Sequence, residues 1–213
     1  MKWIRNTDLL LERFNMANEI KGQKVTLRDL IDADLNDYRK WFTKGLEWTK
    51  WDAPWEEMSD TFAQSFIQKL SERLSKGAQE KRMRFEIEVD GTHIGWVSSY
   101  FIENNPDFLA VGIVVPEEDF WGKGIGKEAL QLWVGYLFEN PGLEYIYCET
   151  WSGNERMVRL ALGVGFEIIE DGKVLEHNGI KYHKLKFRIG NIRTSRQLRT
   201  GKEIDFCYPT PAE

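Results

Sequence analysis

The stretch Trp121-Gly122-Lys123-Gly124-Ile125-Gly126-Lys127 decides how this chain is read. It follows a strand-like run, Leu109–Val115, and leads into a helix-like run, Glu128–Glu139. Glycine at three alternate positions removes the side chains that would keep a ligand away from the backbone. A helix opening at Ile125 or Gly126 has unpaired N–H groups and the positive end of its dipole at that turn. Lys123 and Lys127 add full positive charges. Such a turn suits a phosphate group. The same glycines would also serve a plain strand-to-helix turn, so the surrounding pattern has to carry the reading.

Working outward, Phe85–Val89 alternates strictly, Asp90-Gly91 is a two-residue hairpin signal, and Ile94–Tyr100 returns as the partner strand. Asn104 to Asp107 turns the chain into Leu109–Val115. Further upstream, Lys24–Arg28 reads as a first strand. A helix follows from Asp32 or Asp34 through Trp41 and Phe42 to Gly45. A second helix, capped by Ser59 or Asp60, carries Phe62, Phe66, Ile67, Leu70 and Leu74 at helical spacing and stops at Gly77. Between them Glu47–Trp55 is an aromatic-rich loop. Downstream, Asn140 to Gly142 ends the helix after the glycine turn and Tyr145–Thr150 is a strand. Asn154 opens a helix over Glu155–Leu162, and Phe166–Ile169 with Lys181–Ile189 forms a last hairpin.

This order predicts an α/β or α+β fold with a mixed sheet, because three hairpin-connected strands precede the crossover helices. The main domain spans residues 23–190. Residues 1–22 form an N-terminal extension with a helix at 7–18, and 191–213 a C-terminal tail. A net charge of −5 argues against nucleic acid or an anionic membrane as partner, and it is compatible with a cationic small substrate. Cys148 and Cys207 are far apart without CxxC spacing, and His93, His177 and His183 show no ligand spacing, so neither a disulfide framework nor a metal is expected. The apolar run at Leu9–Leu11 is too short for a signal peptide or a membrane span, which leaves a cytoplasmic location as the expectation.

Three phosphate-binding readings compete. A Walker-type loop needs Ser or Thr after its lysine, and here Glu128 follows Lys127. A dinucleotide fingerprint fits loosely over Gly124, Gly126 and Ala129. However, eight residues from Pro116 to Lys123 separate the strand from that first glycine, and the preceding meander is not a βαβ run. The third reading joins two motifs, Pro116-Glu-x-x-Phe-Trp-Gly-Lys-Gly-Ile-Gly126 and Asn154-Glu-Arg-Met followed by Gly165-Phe166. Together they resemble the GNAT N-acetyltransferase superfamily over residues 24–189. The Trp-Gly-Lys-Gly form is similar to the branch with ribosomal-protein N-terminal acetyltransferases and some aminoglycoside and polyamine acetyltransferases.

The resemblance implies an acyl-CoA N-acyltransferase fold, with a mostly antiparallel central sheet flanked by helices and acetyl-CoA as co-substrate. Trp121, Gly122, Lys123, Gly124, Ile125, Gly126 and Lys127 would bind its diphosphate. The backbone of Val114 and Val115 would pair with its pantetheine arm, and Asn154 would bond that arm from the far side. A backbone N–H near Val114 would polarise the thioester carbonyl.

Two positions depart from the resemblance. The tyrosine that many members carry seven residues past the motif asparagine is Ala161 here, and the glutamate two before the strand glycine is Ala110. An amine must still lose a proton before it attacks a thioester, so a carboxylate base is sought among Glu149, Glu103 and Asp52. Tyr147 shares a sheet face with Glu149 and is the substitute proton donor. Glu47, Trp48, Trp51, Trp55 and Glu103 are the candidate acceptor-binding residues, since rings with carboxylates suit a cationic amine or a peptide N-terminus. The same tryptophans could instead pack the core or a homodimer face. Neither cysteine has an activating neighbour, so direct transfer is expected over an acyl-enzyme. Two alternatives stay open: an acyl-CoA-binding sensor without turnover, and a nicotinamide-dinucleotide oxidoreductase.

Overall fold

The computed structural model describes residues 19–52, 54–55, 58–76, 82–139 and 142–191. Its elements in chain order are β1 (Glu19–Lys21), β2 (Thr26–Arg28), α1 (Asp34–Thr43), α2 (Thr49–Asp52), α3 (Asp60–Lys76), β3 (Arg84–Val89), β4 (Thr92–Phe101), β5 (Leu109–Val114), α4 (Ile125–Leu137), β6 (Tyr145–Trp151), α5 (Glu155–Val164), β7 (Glu167–His177) and β8 (Ile180–Gly190). The strands make one sheet in the order β1-β2-β3-β4-β5-β6-β8-β7. Every neighbouring pair is antiparallel except β5–β6. This is the mixed, mostly antiparallel sheet that the hairpin signals implied.

The sheet has two differently covered faces, and the period-two alternation of its strands decides which residues go to each. Phe85, Ile87, Val97, Leu109, Val111, Ile146, Cys148 and Phe187 pack in one apolar core with Ala129, Leu130, Trp133 and Leu137 of α4 and Ala161 of α5. On the opposite face, Trp96 joins Leu35, Tyr38, Trp41 and Phe42 of α1, Trp48, and Ala63 and Leu70 of α3. Beneath α1 that face also holds a buried ionic group. Glu86, 0% exposed, bonds Arg84 Nε at 3.0 Å, His93 Nε2 at 3.1 Å and the Tyr38 hydroxyl. Burial pushes the Glu86 carboxyl up, but Arg84, His93 and Tyr38 outweigh that and hold it at about 2.

Several boundaries differ from the sequence expectation. Residues 19–21, assigned to the extension, form an edge strand on β2. The aromatic segment is not a plain loop, because Leu46–Trp48 makes a 3-10 turn that runs into α2. Strand β7 continues to His177 instead of ending at Ile169. At the tail boundary, Asn191 is tied to the domain, donating from its backbone to Glu144 O and from Nδ2 to Leu143 O. The expected helix at 7–18, the stop at Gly77 and the tail beyond 191 lie outside the described residues. Among the described residues no helix is long and apolar enough to cross a membrane.

Candidate active site

Strands β5 and β6 touch at a single bridge, Ala110 to Tyr147. Past it β5 stays on β4 as far as Val114, and β6 stays on β8 as far as Trp151. The two therefore part, each keeping its outer neighbour, and a cavity of about 940 Å³ opens along the split. Gly95 on β4 lets the end of β5 come this close: a Cβ there would lie 2.1 Å from the Val114 carbonyl oxygen and 2.9 Å from Val115 Cα. That oxygen therefore points toward β4. By the alternation of an antiparallel strand, Ile113 and Val115 turn their backbone groups the other way, to the split. The Val115 carbonyl already accepts from Trp121 Nε1 at 2.7 Å. Of the two residues expected to present backbone to the pantetheine arm, Val115 turns to the split and Val114 turns to β4.

The glycine turn closes one end of the split. Gly122 and Gly124 sit at φ 73° and 80°, in the left-handed region where a side chain is strained. A Cβ at Gly122 would meet nothing within 4 Å, so the turn shows bare backbone to solvent. Helix α4 begins at Ile125, one of the two starts the glycine turn implied, and Gly124 gives its first amides no side-chain cap. Lys123 and Lys127 are exposed on either side. A third cation joins them: Lys24 Nζ donates to Lys123 O at 3.3 Å. Lys24 is fixed there by Glu128, whose Oε1 accepts from the Lys24 backbone N–H at 2.9 Å. Uncapped amides, a helix N-terminus and three lysines fit a diphosphate. Asn154 lines the same cavity, and its Oδ1 caps α5 by accepting from Met157 N at 3.0 Å.

The other end is built from the aromatic segment. Trp151 Nε1, at the end of β6, donates to the carbonyls of Trp51 and Asp52 at 3.2 and 2.9 Å, which pins α2 over the split. Arg156, from the first turn of α5, lies over the rings of both Trp51 (4.4 Å) and Trp121 (3.9 Å). The ring of Trp51 that was to receive the substrate's cation therefore carries a guanidinium of the protein itself.

The structure gathers only part of the predicted set. Asp52, Glu149, Trp48 and Trp51 line the cavity. Tyr147 is 8% exposed, packs edge-on against Phe108 and lies outside the lining. Glu103 sits exposed on a turn at φ 52°, Glu47 pairs with Lys50 at 2.6 Å, and Trp55 packs on Trp151 and His177; all three lie outside the lining. Ala161 is buried in the helix–sheet core.

Sequence reasoning missed Tyr100. It stands opposite Ala110 across the β4–β5 pair and lines the cavity with Glu149. Crowding by the surrounding protein, then the charges of Glu149 and Asp52, push its hydroxyl well above the usual range, so it stays protonated. Glu149 projects from β6 beside the split, with 15% of its side chain exposed and Lys184 Nζ at 3.2 Å. Burial, with Glu149 adding, pushes the Cys148 thiol up to about 12, so it offers no thiolate to carry an acyl group.

Residues 24–167, about two thirds of the chain, match the family model described as an acetyltransferase (GNAT) domain. The chain is 27% identical to an aminoglycoside N(6')-acetyltransferase type 1 from Serratia marcescens over 82% of its own length and 89% of the relative's. It is 25% identical to a protein of the same name from Klebsiella pneumoniae, covering 88% and 94%. Among solved structures, the ribosomal-protein acetyltransferase RimL in complex with coenzyme A aligns with TM-score 0.63, at 17% identity over 81% of this chain and 97% of the other. Spermidine N-acetyltransferase from Vibrio cholerae in complex with CoA and spermine aligns with TM-score 0.61, at 22% identity over 80% and 97%. The fold and the glycine turn thus define an acyltransferase of the acyl-CoA-dependent class. The chain belongs to the GNAT acetyltransferase family, and its activity is acetyl-CoA-dependent N-acetyl transfer. Family membership overturns the oxidoreductase alternative, as does a sheet with one parallel pair where dinucleotide folds stack several.

Proposed function

We propose that this enzyme moves an acetyl group directly from acetyl-CoA to a primary amine held on the α1–α3 side of the split. The observation that carries the reading is the single Ala110–Tyr147 bridge, which leaves β5 backbone open beside a bare, cationic glycine turn. Acetyl-CoA supplies the acetyl group as a thioester. The amides of Gly122 to Lys127 hold its diphosphate, with Lys24, Lys123 and Lys127 adding charge. The N–H groups of Ile113 and Val115 face the split, where they bond the pantetheine arm and polarise the thioester carbonyl.

The acceptor amine arrives protonated and has to shed that proton. Glu149 is the base, because among the lining carboxylates it alone projects from the sheet beside the split, while Asp52 sits exposed on α2. Tyr100 keeps its O–H and holds a donor for the leaving sulfur on the same side. It takes the task that Ala161 cannot perform and that Tyr147, packed under Phe108, is too enclosed to reach. Holding both partners in one cleft supplies much of the acceleration. The relatives' names support an amine acceptor, since they comprise enzymes for aminoglycosides, spermidine and ribosomal proteins.

The test is thiol release from acetyl-CoA in the presence of a broad panel of primary amines, paired with calorimetric titration of CoA. Amine-dependent thiol release and CoA binding are expected. CoA binding without turnover on any amine would favour the sensor role, and no CoA binding would refute the reading.

A further inference from the structure

The wall of the acceptor end has an unusual balance of rings and charge. Phe42, Trp48, Phe62, Phe66, Trp96 and Tyr100 line it. Among the described residues the whole cavity has only Asp52 and Glu149 as lining carboxylates and only Arg156 and Arg159 as lining cations. The formal charge of the lining, counted over the described residues, is therefore zero. Lys184, 3.2 Å from Glu149, and Glu155, 3.2 Å from Arg159, pair with one lining charge of each sign and leave that balance unchanged. The Trp51 ring, the obvious cation platform at the mouth, already holds the Arg156 guanidinium.

A molecule with three or more positive charges gains little from such a surface. Each added ammonium loses hydration on entering and meets an arginine or a ring, whose cation–π attraction replaces less of that loss than a carboxylate would. One ammonium can be matched, by Glu149 beside the split, and a flat apolar body attached to it can cover Trp96, Phe62 and Phe66.

Resting on the acetyl-transfer reading above, we propose that the acceptor is a monocationic primary amine carried on a flat, apolar body, and not a polyamine or an aminoglycoside. Two sources share this chemistry: a free arylalkylamine, and the N-terminus of a peptide whose first side chain is aromatic.

The experiment titrates the CoA-loaded protein by calorimetry with 2-phenylethylamine, Phe-Gly-Gly amide, spermidine and kanamycin. It also measures thiol release with each amine on the acetyl-CoA-loaded enzyme. The expected result is that one or both aromatic amines bind, and exceed spermidine and kanamycin in kcat/KM by at least about tenfold, the scale of burying one ring. Preference between the free amine and the peptide identifies the source. Tighter binding and faster turnover of the polycations would overturn the substrate class and leave the acetyltransferase reading standing. Binding of the aromatic amines without thiol release would uphold the class and count against the catalytic reading. Binding of none of the four would overturn the class.

A variant gives a second readout. Phe62 is 50% exposed on α3 with its ring edge-on against Phe42 and beside Phe66, so Phe62→Glu places a carboxylate on the wall and gives up only those two ring contacts. It is expected to raise the ratio of spermidine to phenylethylamine kcat/KM by roughly tenfold. An unchanged ratio in the folded variant would contradict the placement of the acceptor against this wall.

Discussion

The substitution Gly124→Glu separates what the glycine turn does for the fold from what it does for the cofactor. Gly124 sits at φ 80°, ψ −3°, so any side chain there costs about 1–2 kcal/mol of stability. Space is not the obstacle, because the nearest atom to an added Cβ is Lys24 Nζ at 3.9 Å. At about 2–4 °C per kcal/mol, the variant should melt roughly 2–8 °C lower and remain folded at 25 °C. Binding responds on a larger scale. A carboxylate about 5 Å from one phosphate charge repels it by about 3 kcal/mol at an effective dielectric of about 20, or roughly 100-fold in Kd. Lys24 offsets part of this, and the second phosphate charge adds to it, so a loss of at least about 100-fold is expected by calorimetric titration of CoA. Gly124→Ala is the control, carrying the same backbone strain without the charge, and it should lose less than about tenfold. A folded Gly124→Glu protein binding CoA within threefold of the parent would refute the placement of the diphosphate on this turn.

Glu149→Gln should lower kcat by about 10²–10³ while leaving the Kd for CoA unchanged, since it removes the base and not the cofactor site. Rescue of that loss by raising pH toward the amine's own pKa would mark the defect as one of proton removal. Tyr100→Phe should cost about tenfold in kcat with little change in melting temperature, and equal activity would remove Tyr100 from the chemistry. Arg156→Ala, read by the KM values of both substrates, should weaken acetyl-CoA and amine together, because the guanidinium joins Trp51 to Trp121. Stability should also depend on pH. Glu86 is held at about 2, below its ordinary 4.5, so its contribution is complete above pH 4.5 and up to about 3 kcal/mol is lost as pH falls toward 2. Burial lowers the basicity of His93, but Glu86, Asp34 and Asp37 outweigh it and raise its pKa above 6.5. That contribution is complete below pH 6.5 and fades as pH rises through the folded value. Urea melts from pH 3 to 9 should therefore peak between these limits, and a flat profile would contradict the buried network.

What could be read from the sequence was local. The hairpin through Asp90-Gly91, the glycine turn and the asparagine cap at 154 are written in adjacent residues, and so the order of strands and helices was legible. What escaped depends on register and on long-range contact. Tyr100 becomes a site residue through the β4–β5 register, which sets it opposite Ala110 and on the cavity wall. Lys24 reaches the glycine turn through Glu128, some hundred positions along the chain. That Val115 and not Val114 turns its backbone to the split follows from the hydrogen-bond phase of β5 on β4, which composition does not encode. Trp51 was a sound candidate for cation binding by residue type, and a guanidinium from α5 occupies it. Counting rings and carboxylates pointed to the aromatic segment, of which Trp48, Trp51 and Asp52 line the cavity, while Glu47 and Trp55 turn to partners outside it and Glu103 lies on an exposed turn.

The most direct test of the split as the cofactor's seat is residue-resolved amide hydrogen exchange with and without CoA. Saturating CoA should protect Ile113 and Val115 and the amides from Gly122 to Lys127, while Val114, already turned to β4, changes little. Unaltered exchange at Ile113 and Val115 on a protein that binds CoA would mean that the thioester arm lies elsewhere.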